Sequence, residues 1–383
     1  MRTAKTLCAL AATLAGAALA SPAQAQFCDI ERLGSLSLDL GFEVEVVGPT
    51  LFGRGIGVVQ VVDVSDPAAP VLASSLQGIE GFALEAVGNT LYIADFLGSL
   101  RIFDVSDPYN PVQLSQTPVP GPEFIDVVGG TAVVASRLSP VVTVFDVTDP
   151  AAPVQLSELR VGDRIEAFQV EWPFVYLSNG DSLITLDIGD PANPQELGRF
   201  ESGLDGVFLM GVQGPLAFAR ENRDSDRLLR LVHVDRPEAM RLFRTGTFDF
   251  VRFAAPYQIE GDWLITSGPS STGVTIHSLE DFTRPRFLGG VSFGGSAAGF
   301  QLVGDRLYAV SRAGVEIFDI GGCPPYRFCP ADLNSDGVAD FFDAQEFSGL
   351  FTSGQLQADF DGDGELTAND LVEFQAKLAA GCP

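Results

Sequence analysis

The octet "DVSDPAAP" at residues 63–70 decides the fold, because it recurs. "DVSDPYNP" follows at 104–111, "DVTDPAAP" at 146–153 and "DIGDPANP" at 187–194. The leading aspartates, Asp63, Asp104, Asp146 and Asp187, stand about 41 residues apart. Weaker copies begin at His233 ("HVDRPEAM"), His277 ("HSLEDFTRP") and Asp319 ("DIGGCPP"). A near-constant period of about 40–45 residues points to propeller blades or helical repeats. The content of each unit separates the two. The second unit reads "FALEAVG", "TLYIAD", "SLRIFDV" and "PVQLSQTPV", with turn residues at Gly88-Asn89 and Leu97-Gly98-Ser99. These are four short strands without a helical period, as a four-stranded blade requires. The expectation is an all-β, seven-bladed β-propeller.

Within this pattern the octet is the end of a third strand, a turn and the start of an outer strand. Asp66 before Pro67 suits a turn, because a short carboxylate accepts nearby backbone N–H groups and proline presets φ. Two carboxylates three residues apart are then turn residues rather than an acid/base pair.

The seventh unit ends at "VEIFDI" (315–320) and lacks an outer strand. The N-terminal "LGSLSLDL" (33–40) supplies a strand of the missing kind, so the ring is expected to close by exchange of the first strand into the last blade. Cys28 precedes that strand and Cys323 follows "FDI". A Cys28–Cys323 disulfide would replace the "DP..P" connection with a covalent clasp. Closing so long a loop contributes about 4–5 kcal/mol at best in the chain-entropy model.

These units resemble the LVIVD-repeat family of bacterial β-propellers. The matching residues are the third-strand ends "VVDVSDP", "RIFDVSDP" and "TVFDVTDP" and the second strands "LYIAD" and "LYAVS". The resemblance spans residues 33–321 and fades in units five and six, where "ARENRDSDR" (219–227) is inserted. It implies an extracytoplasmic propeller and assigns no activity.

Composition agrees. The chain has 383 residues, 46% of them hydrophobic, and a formal net charge of −27. Such an excess of acid argues against nucleic acid or an anionic membrane as partner. Arg2 and Lys5, the apolar stretch Leu7–Ala20 and Ala23-Gln24-Ala25 read as a secretory signal over residues 1–25. The protein is expected to be secreted or held at the cell surface. No later apolar run is long enough to enter a membrane after signal cleavage. The propeller is placed at residues 26–322, a linker at 323–328 and a second module at 329–383.

That module holds two twelve-residue carboxylate loops. In the first, Asp332, Asn334, Asp336, Asp340 and Asp343 take positions 1, 3, 5, 9 and 12, and Val338 offers its carbonyl at 7. In the second, Asp359, Asp361, Asp363, Thr367 and Asp370 take the same positions, with Glu365 at 7. Gly337 and Gly364 stand at position 6, where the sharp turn falls. Alternate loop positions present hard oxygens inward, as calcium requires. Each loop leads into one amphipathic run, "FFDAQEFSGLF" or "NDLVEFQAKLAAG". Loop-helix units with Asp at 12, bounded by Cys329 and Cys382, resemble the Cys-bounded type I dockerins that end exported bacterial proteins. The resemblance implies a small α-helical domain, two Ca2+ ions and a cohesin-like or other cell-surface or scaffold protein as partner. Positions 10 and 11, often small hydroxylic partner contacts in that family, are Phe341-Phe342 and Ala368-Asn369, so the resemblance does not imply a familiar cellulosomal cohesin as partner. Cys329 and Cys382 are expected to pair and pin a domain with little core of its own.

A propeller ligand meets the central channel or its mouth. Aligning the innermost strands on "EVVG", "EAVG" and "DVVG" gives one candidate channel position per blade: Glu45, Glu85, Asp126, Gln169, Met210, Tyr257 and Gln301. The first three are acidic on adjacent blades. His233 and His277 replace the repeated aspartate and raise the question of a two-histidine metal corner. No nucleophile elbow, phosphate loop or zinc-protease helix is present in the sequence. The function expected is that of a non-enzymatic binding protein of unknown ligand, anchored through its C-terminal module. The alternative is a secreted carbohydrate- or ester-active enzyme targeted by the same module.

Overall fold

A computed structural model describes residues 28–323, apart from 41–42, 138, 163, 202–206, 215, 224–225, 235, 249–256, 268–272, 280–284 and 293–298, together with 331, 341–352, 358, 360 and 366–380. The first 27 residues, and with them the signal segment, lie outside the described residues, as do Cys329 and Cys382.

Seven four-stranded antiparallel sheets form the blades of a β-propeller. Blades 1 to 6 run over residues 44–77, 81–118, 124–160, 167–201, 208–248 and 257–291, each counting its strands outward in chain order. Blade 7 combines residues 299–319 with the N-terminal strand Glu31–Leu36, which pairs with Gly314–Asp319 as its outermost strand. The exchanged strand was expected at 33–40. It starts earlier because the clasp holds it from the front: Cys28 and Cys323 form a disulfide, and Cys28 N donates to Leu288 O at 2.9 Å. Leu38 and Leu40 leave the ladder and pack into the seam between blades 7 and 1.

The blades have no separate cores. Each hydrophobic cluster lies between two neighbours. Ala83, Tyr92 and Leu100 of blade 2 meet Ile125, Ala132 and Phe145 of blade 3. Val44, Val46 and Leu51 of blade 1 meet Tyr308, Val310 and Ile317 of blade 7. Cys323 belongs to the cluster between blades 6 and 7, against which Cys28 packs.

The repeated octet works as a turn. Asp63 Oδ1 accepts from Ser65 N (2.9 Å) and Asp66 Oδ1 from Ala68 N (3.0 Å). Asp104, Asp107, Asp146, Asp149, Asp187 and Asp190 repeat these bonds. The turn also joins blades. In blades 1 to 4 the outer strand is bulged against its neighbour, and the residue after the bulge faces the next blade's turn. Ser74, Ser115 and Ser157 donate there to the carbonyls of Pro108, Pro150 and Pro191 at 2.6–2.7 Å. At the same position blade 4 has Gly198 and blade 7 has Gly34. A Cβ on Gly198 would fall 1.6 Å from Pro237 O, and one on Gly34 would fall 2.3 Å from Pro67 O.

His233 and His277 do not occupy equivalent positions. His233 pairs with Leu216, the first residue of its second strand, as Asp63 pairs with Thr50. In blade 6 that place belongs to Ser278 opposite Trp263, while His277 pairs with Leu264 one step inward. Burial pushes the His277 imidazole down to about 4, so it is neutral at physiological pH. It packs edge-on against Phe287.

At the C-terminus, α1 (Phe341–Thr352) and α2 (Ala368–Ala380) enclose a small core. Phe347 stacks on Phe374 with ring centroids 4.4 Å apart, and both pack against Phe360. Ala331 and Ala358 complete it.

Two outcomes follow for urea unfolding. Gly198→Ala is expected to cost about 1–3 kcal/mol through overpacking against backbone, whereas Ser74→Ala costs about 1 kcal/mol, one hydrogen bond. Equal effects would show that the approach of strand to turn is not tight. Cys28→Ser is expected to cost about 4 kcal/mol by freeing the ends of the ring.

Candidate functional site

The innermost strands surround the central channel, and one register position in each faces its counterpart in the next blade. Cross-strand pairing fixes the position: each such residue lies opposite a second-strand residue seven further on. The pairs are Glu45–Phe52, Glu85–Tyr92, Asp126–Val133, Gln169–Tyr176, Gly211–Phe218, Gln258–Ile265 and Gln301–Tyr308. Five of the seven candidates from the sequence stand there. Met210 and Tyr257 do not. Met210 is the extra residue of a bulge between Leu209 and Gly211, and the next residue takes its place in the ring. Tyr257 begins its strand one residue too early and pairs with Thr266. Both side chains pack against the core between blades 5 and 6 instead.

The glutamines of the ring tie blade to blade. Gln169 Oε1 accepts from Val212 N at 2.8 Å, and its Nε2 donates to Val212 O at 3.2 Å. Gln258 does the same with Leu302 N and O, at 2.8 and 3.3 Å. Gln301 accepts from Val46 N. A primary amide presents an acceptor oxygen beside a donor nitrogen, so it extends the neighbour's open strand edge as another strand would. Asp126 manages half of this, accepting from Val170 N at 2.8 Å.

Glu45 and Glu85 break the pattern. Among the described residues neither takes an N–H from the next blade. An ionised carboxylate cannot donate to the carbonyl that a glutamine satisfies. Gln301 Nε2 reaches Glu45 Oε2 at 3.4 Å from behind. A fourth acid, Glu43, stands two residues before Glu45 and so on the same side of the chain. Its carboxyl takes a backbone bond from Leu84 of blade 2, while Oε2 is enclosed and has no hydrogen-bond partner. The alternation Glu43-Val44-Glu45 carries the sequence signal for this residue, which lies upstream of the "EVVG" motif.

Burial and crowding act together on these groups. Burial, then repulsion from Glu45, Asp126 and Glu43, pushes the Glu85 carboxyl up to about 9. Burial pushes Glu43 up to about 8 against the pull of Arg54. It raises Glu45 to about 7, opposed by the Gln301 bond, and Asp126 to about 6, opposed by the Val170 bond. Near neutral pH the cluster therefore holds protons. The outer-turn acids behave oppositely: bonds from Ser65 hold Asp63 below the usual carboxylate range.

The calcium-loop candidates divide. Asp332, Asn334, Asp336, Val338, Asp340, Asp359, Asp361, Asp363 and Glu365 lie outside the described residues. Asp343 and Asp370 are described, and both are fully buried near the starts of α1 and α2. Thr367 Oγ1 accepts from Asn369 N at 3.2 Å, and Asp370 Oδ2 accepts from Thr367 N at 2.7 Å, a capping box. Asp370 Oδ1 reaches further, to Phe360 N at 2.6 Å, and draws position 12 of the loop to position 2. Both oxygens of Asp370 thus take backbone N–H groups, one from the helix start and one from the start of the loop.

Three stretches, residues 57–77, 83–116 and 172–202, match the family model of the LVIVD repeat. The chain carries LVIVD repeats. The matched stretches lie in blades 1, 2 and 4 of the seven-bladed ring. No curated protein sequence matches the chain. Its fold is similar to the crystal structure of the computationally designed Ika8 protein, at 12% identity and a TM-score of 0.58, over 76% of this chain and 100% of that one. The WD40 domain from Toxoplasma gondii coronin aligns at 10% identity and 0.57, over 77% and 86%. Saccharomyces cerevisiae Sqt1 aligns at 12% and 0.53, over 73% and 82%. At these identities the likeness concerns the propeller fold alone.

A carboxyl raised on folding favours the folded state below its unfolded value and weakens it as pH climbs through the folded one. Melting temperature is therefore expected to fall from about pH 5 to pH 9, the span from the ordinary glutamate value of 4.5 to the Glu85 value of about 9. Glu85→Gln should flatten this slope and raise Tm at pH 8 by about 2–4 °C. An unchanged slope would show that the acids do not interact.

Proposed function

We propose that this chain is an exported, non-enzymatic binding protein. The seven-bladed ring with LVIVD repeats presents a ligand surface at one acidic mouth. Residues 329–383 anchor it, through calcium-dependent contact with a cohesin-like or other surface or scaffold protein. The observation that carries the first part is the contrast within one ring. Gln169, Gln258 and Gln301 use their polar atoms on neighbouring blades. Glu43, Glu45 and Glu85 crowd together, with Glu43 Oε2 enclosed and without a partner. Carboxyls crowded and shifted by burial in a channel mouth mark a candidate binding site. The anchoring reading is supported by the buried Asp343 and Asp370 and by the two helices that follow the loops. Export is supported by the N-terminal leader and by a disulfide whose formation needs an oxidising compartment.

Isothermal titration of the mature chain is expected to show two calcium ions bound, falling to one in Asp359→Asn. EGTA should lower the helical circular-dichroism signal and release the protein from a surface extract that retains it in calcium. Binding and helicity indifferent to EGTA would overturn the anchoring reading and leave the propeller reading in place.

A further inference from the structure

The acidic mouth has an apolar border on blades 1 and 2. Ile56, Phe82, Phe96 and Leu97 are exposed there, Ile56 to 77% and Leu97 to 72%. They come from three chain segments that form one surface. Phe82 and Phe96 have ring centroids 5.5 Å apart. Phe96 N donates to Glu80 O, and Gly78 N to Gly57 O, both at 3.0 Å. Asp95 Oδ1 accepts from Leu97 N at 3.1 Å, and Gly98 follows at φ +102°, so the turn holds Leu97 outward. Arg54 joins border and acids. It donates to Gly81 O at 2.7 Å, lies 5.2 Å from the Phe82 ring centroid, and pulls on Glu43 and Glu80.

Among the described residues, charge is less balanced on this side than at blades 3 and 4. At blades 3 and 4, Arg137 bridges Glu123 (3.1 Å) and Glu166 (3.7 Å), and Arg164 meets Glu166 at 2.7 Å. At blades 1 and 2, Glu43 and Glu80 share the guanidinium of Arg54, Arg101 is taken by Asp95 at 3.4 Å, and the strongest charges acting on Glu85 are other carboxylates. No group of three acids, histidines or cysteines among the described residues has the geometry to hold a metal ion. A cationic group seated among these carboxyls would displace their protons, and one carried on a larger molecule would also cover the phenylalanines.

We propose that this mouth binds a basic, apolar peptide segment: a lysine ammonium seats among Glu43, Glu45 and Glu85 while a neighbouring large apolar side chain lies on Phe82, Phe96 and Leu97. Lysine fits better than arginine, because a compact ammonium donates in three directions to carboxylates on different strands and its alkyl stem crosses an apolar rim. The net charge of −27 steers such a partner inward. The inference rests on reading the propeller as a binding scaffold, and names its partner.

The test uses the mature full-length chain and a blocked peptide, acetyl-Ala-Leu-Lys-Phe-Ala-amide, followed by titration calorimetry and by quenching of a fluorophore on the peptide. Replacing the lysine with norleucine is expected to weaken binding about tenfold or more, as is Glu45→Gln with Glu85→Gln, each removing a charge-assisted contact. Phe96→Ser should weaken it similarly, and Val154→Ser, on the outer strand of blade 3, should leave it unchanged. The glutamine variants relieve repulsion, so they fold, and their melting temperature verifies it. Equal affinity of the norleucine peptide, or of the double glutamine variant, overturns the proposal. A mixed array of acidic, neutral and basic peptides and glycans separates the two levels. Phe96-dependent capture of a neutral or acidic ligand overturns this inference and keeps the scaffold reading, while capture of none overturns both.

Discussion

A four-stranded blade with two apolar faces has no inside of its own. Its valines, isoleucines and leucines leave water only when another blade covers them, and every hydrophobic cluster of the propeller is accordingly shared between neighbours. Such an arrangement is stable only if it has no ends. The ring must close, and the place where the chain starts and finishes is its weak point. The structure secures that place three times: the first strand completes the last sheet, Leu38 and Leu40 fill the seam, and a disulfide joins residues 295 positions apart in the chain. Closure also removes the sheet edges through which open β-proteins aggregate.

Two finer sets of contacts hold the blades in angular register, one at the rim and one at the axis. At the rim, a serine beyond a bulge donates to the proline carbonyl of the next turn, and glycine takes its place where the strand lies closer. At the axis, glutamine side chains pair with the neighbouring strand edge. The two differ in what a substitution releases. A changed serine at the rim loses a contact and nothing else. A glutamate in place of a glutamine at the axis leaves a carboxyl crowded against others in a sheltered channel, where burial and repulsion make it hold its proton. The acids at 43, 45 and 85 are thus more informative about function than the repeated aspartates of the turns, although those are far more conspicuous in the sequence.

Much of this was legible before the fold was known. The period, the four strands per unit, the exchanged strand and the Cys28–Cys323 clasp all follow from local turn chemistry repeated at a fixed interval. The channel position was legible where the inner strand carried "EVVG" or its near copies, and was misplaced by one residue at Met210 and Tyr257. A bulge adds a residue without adding a pattern, and the start of a strand in a weakly repeated unit has no turn motif to anchor an alignment. Glu43 was visible only to someone who followed the two-residue alternation back past the motif. Phe82, Phe96 and Ile56 could not be grouped at all, since they are surface residues of three separate chain segments.

The amino-acid sequence by itself determined the architecture: seven blades, closed by exchange and clasped by a disulfide, with a carboxylate-rich helical unit behind them. It could do so because strand alternation, turn composition and covalent pairing are properties of short segments, and repetition averages away their ambiguity. The tertiary structure alone decided which polar side chains are satisfied and which are not. Whether a carboxylate lies beside an arginine, a backbone N–H or another carboxylate depends on residues tens of positions away, brought together only when neighbouring blades pack. The acidic mouth and its aromatic border exist at that level and at no lower one.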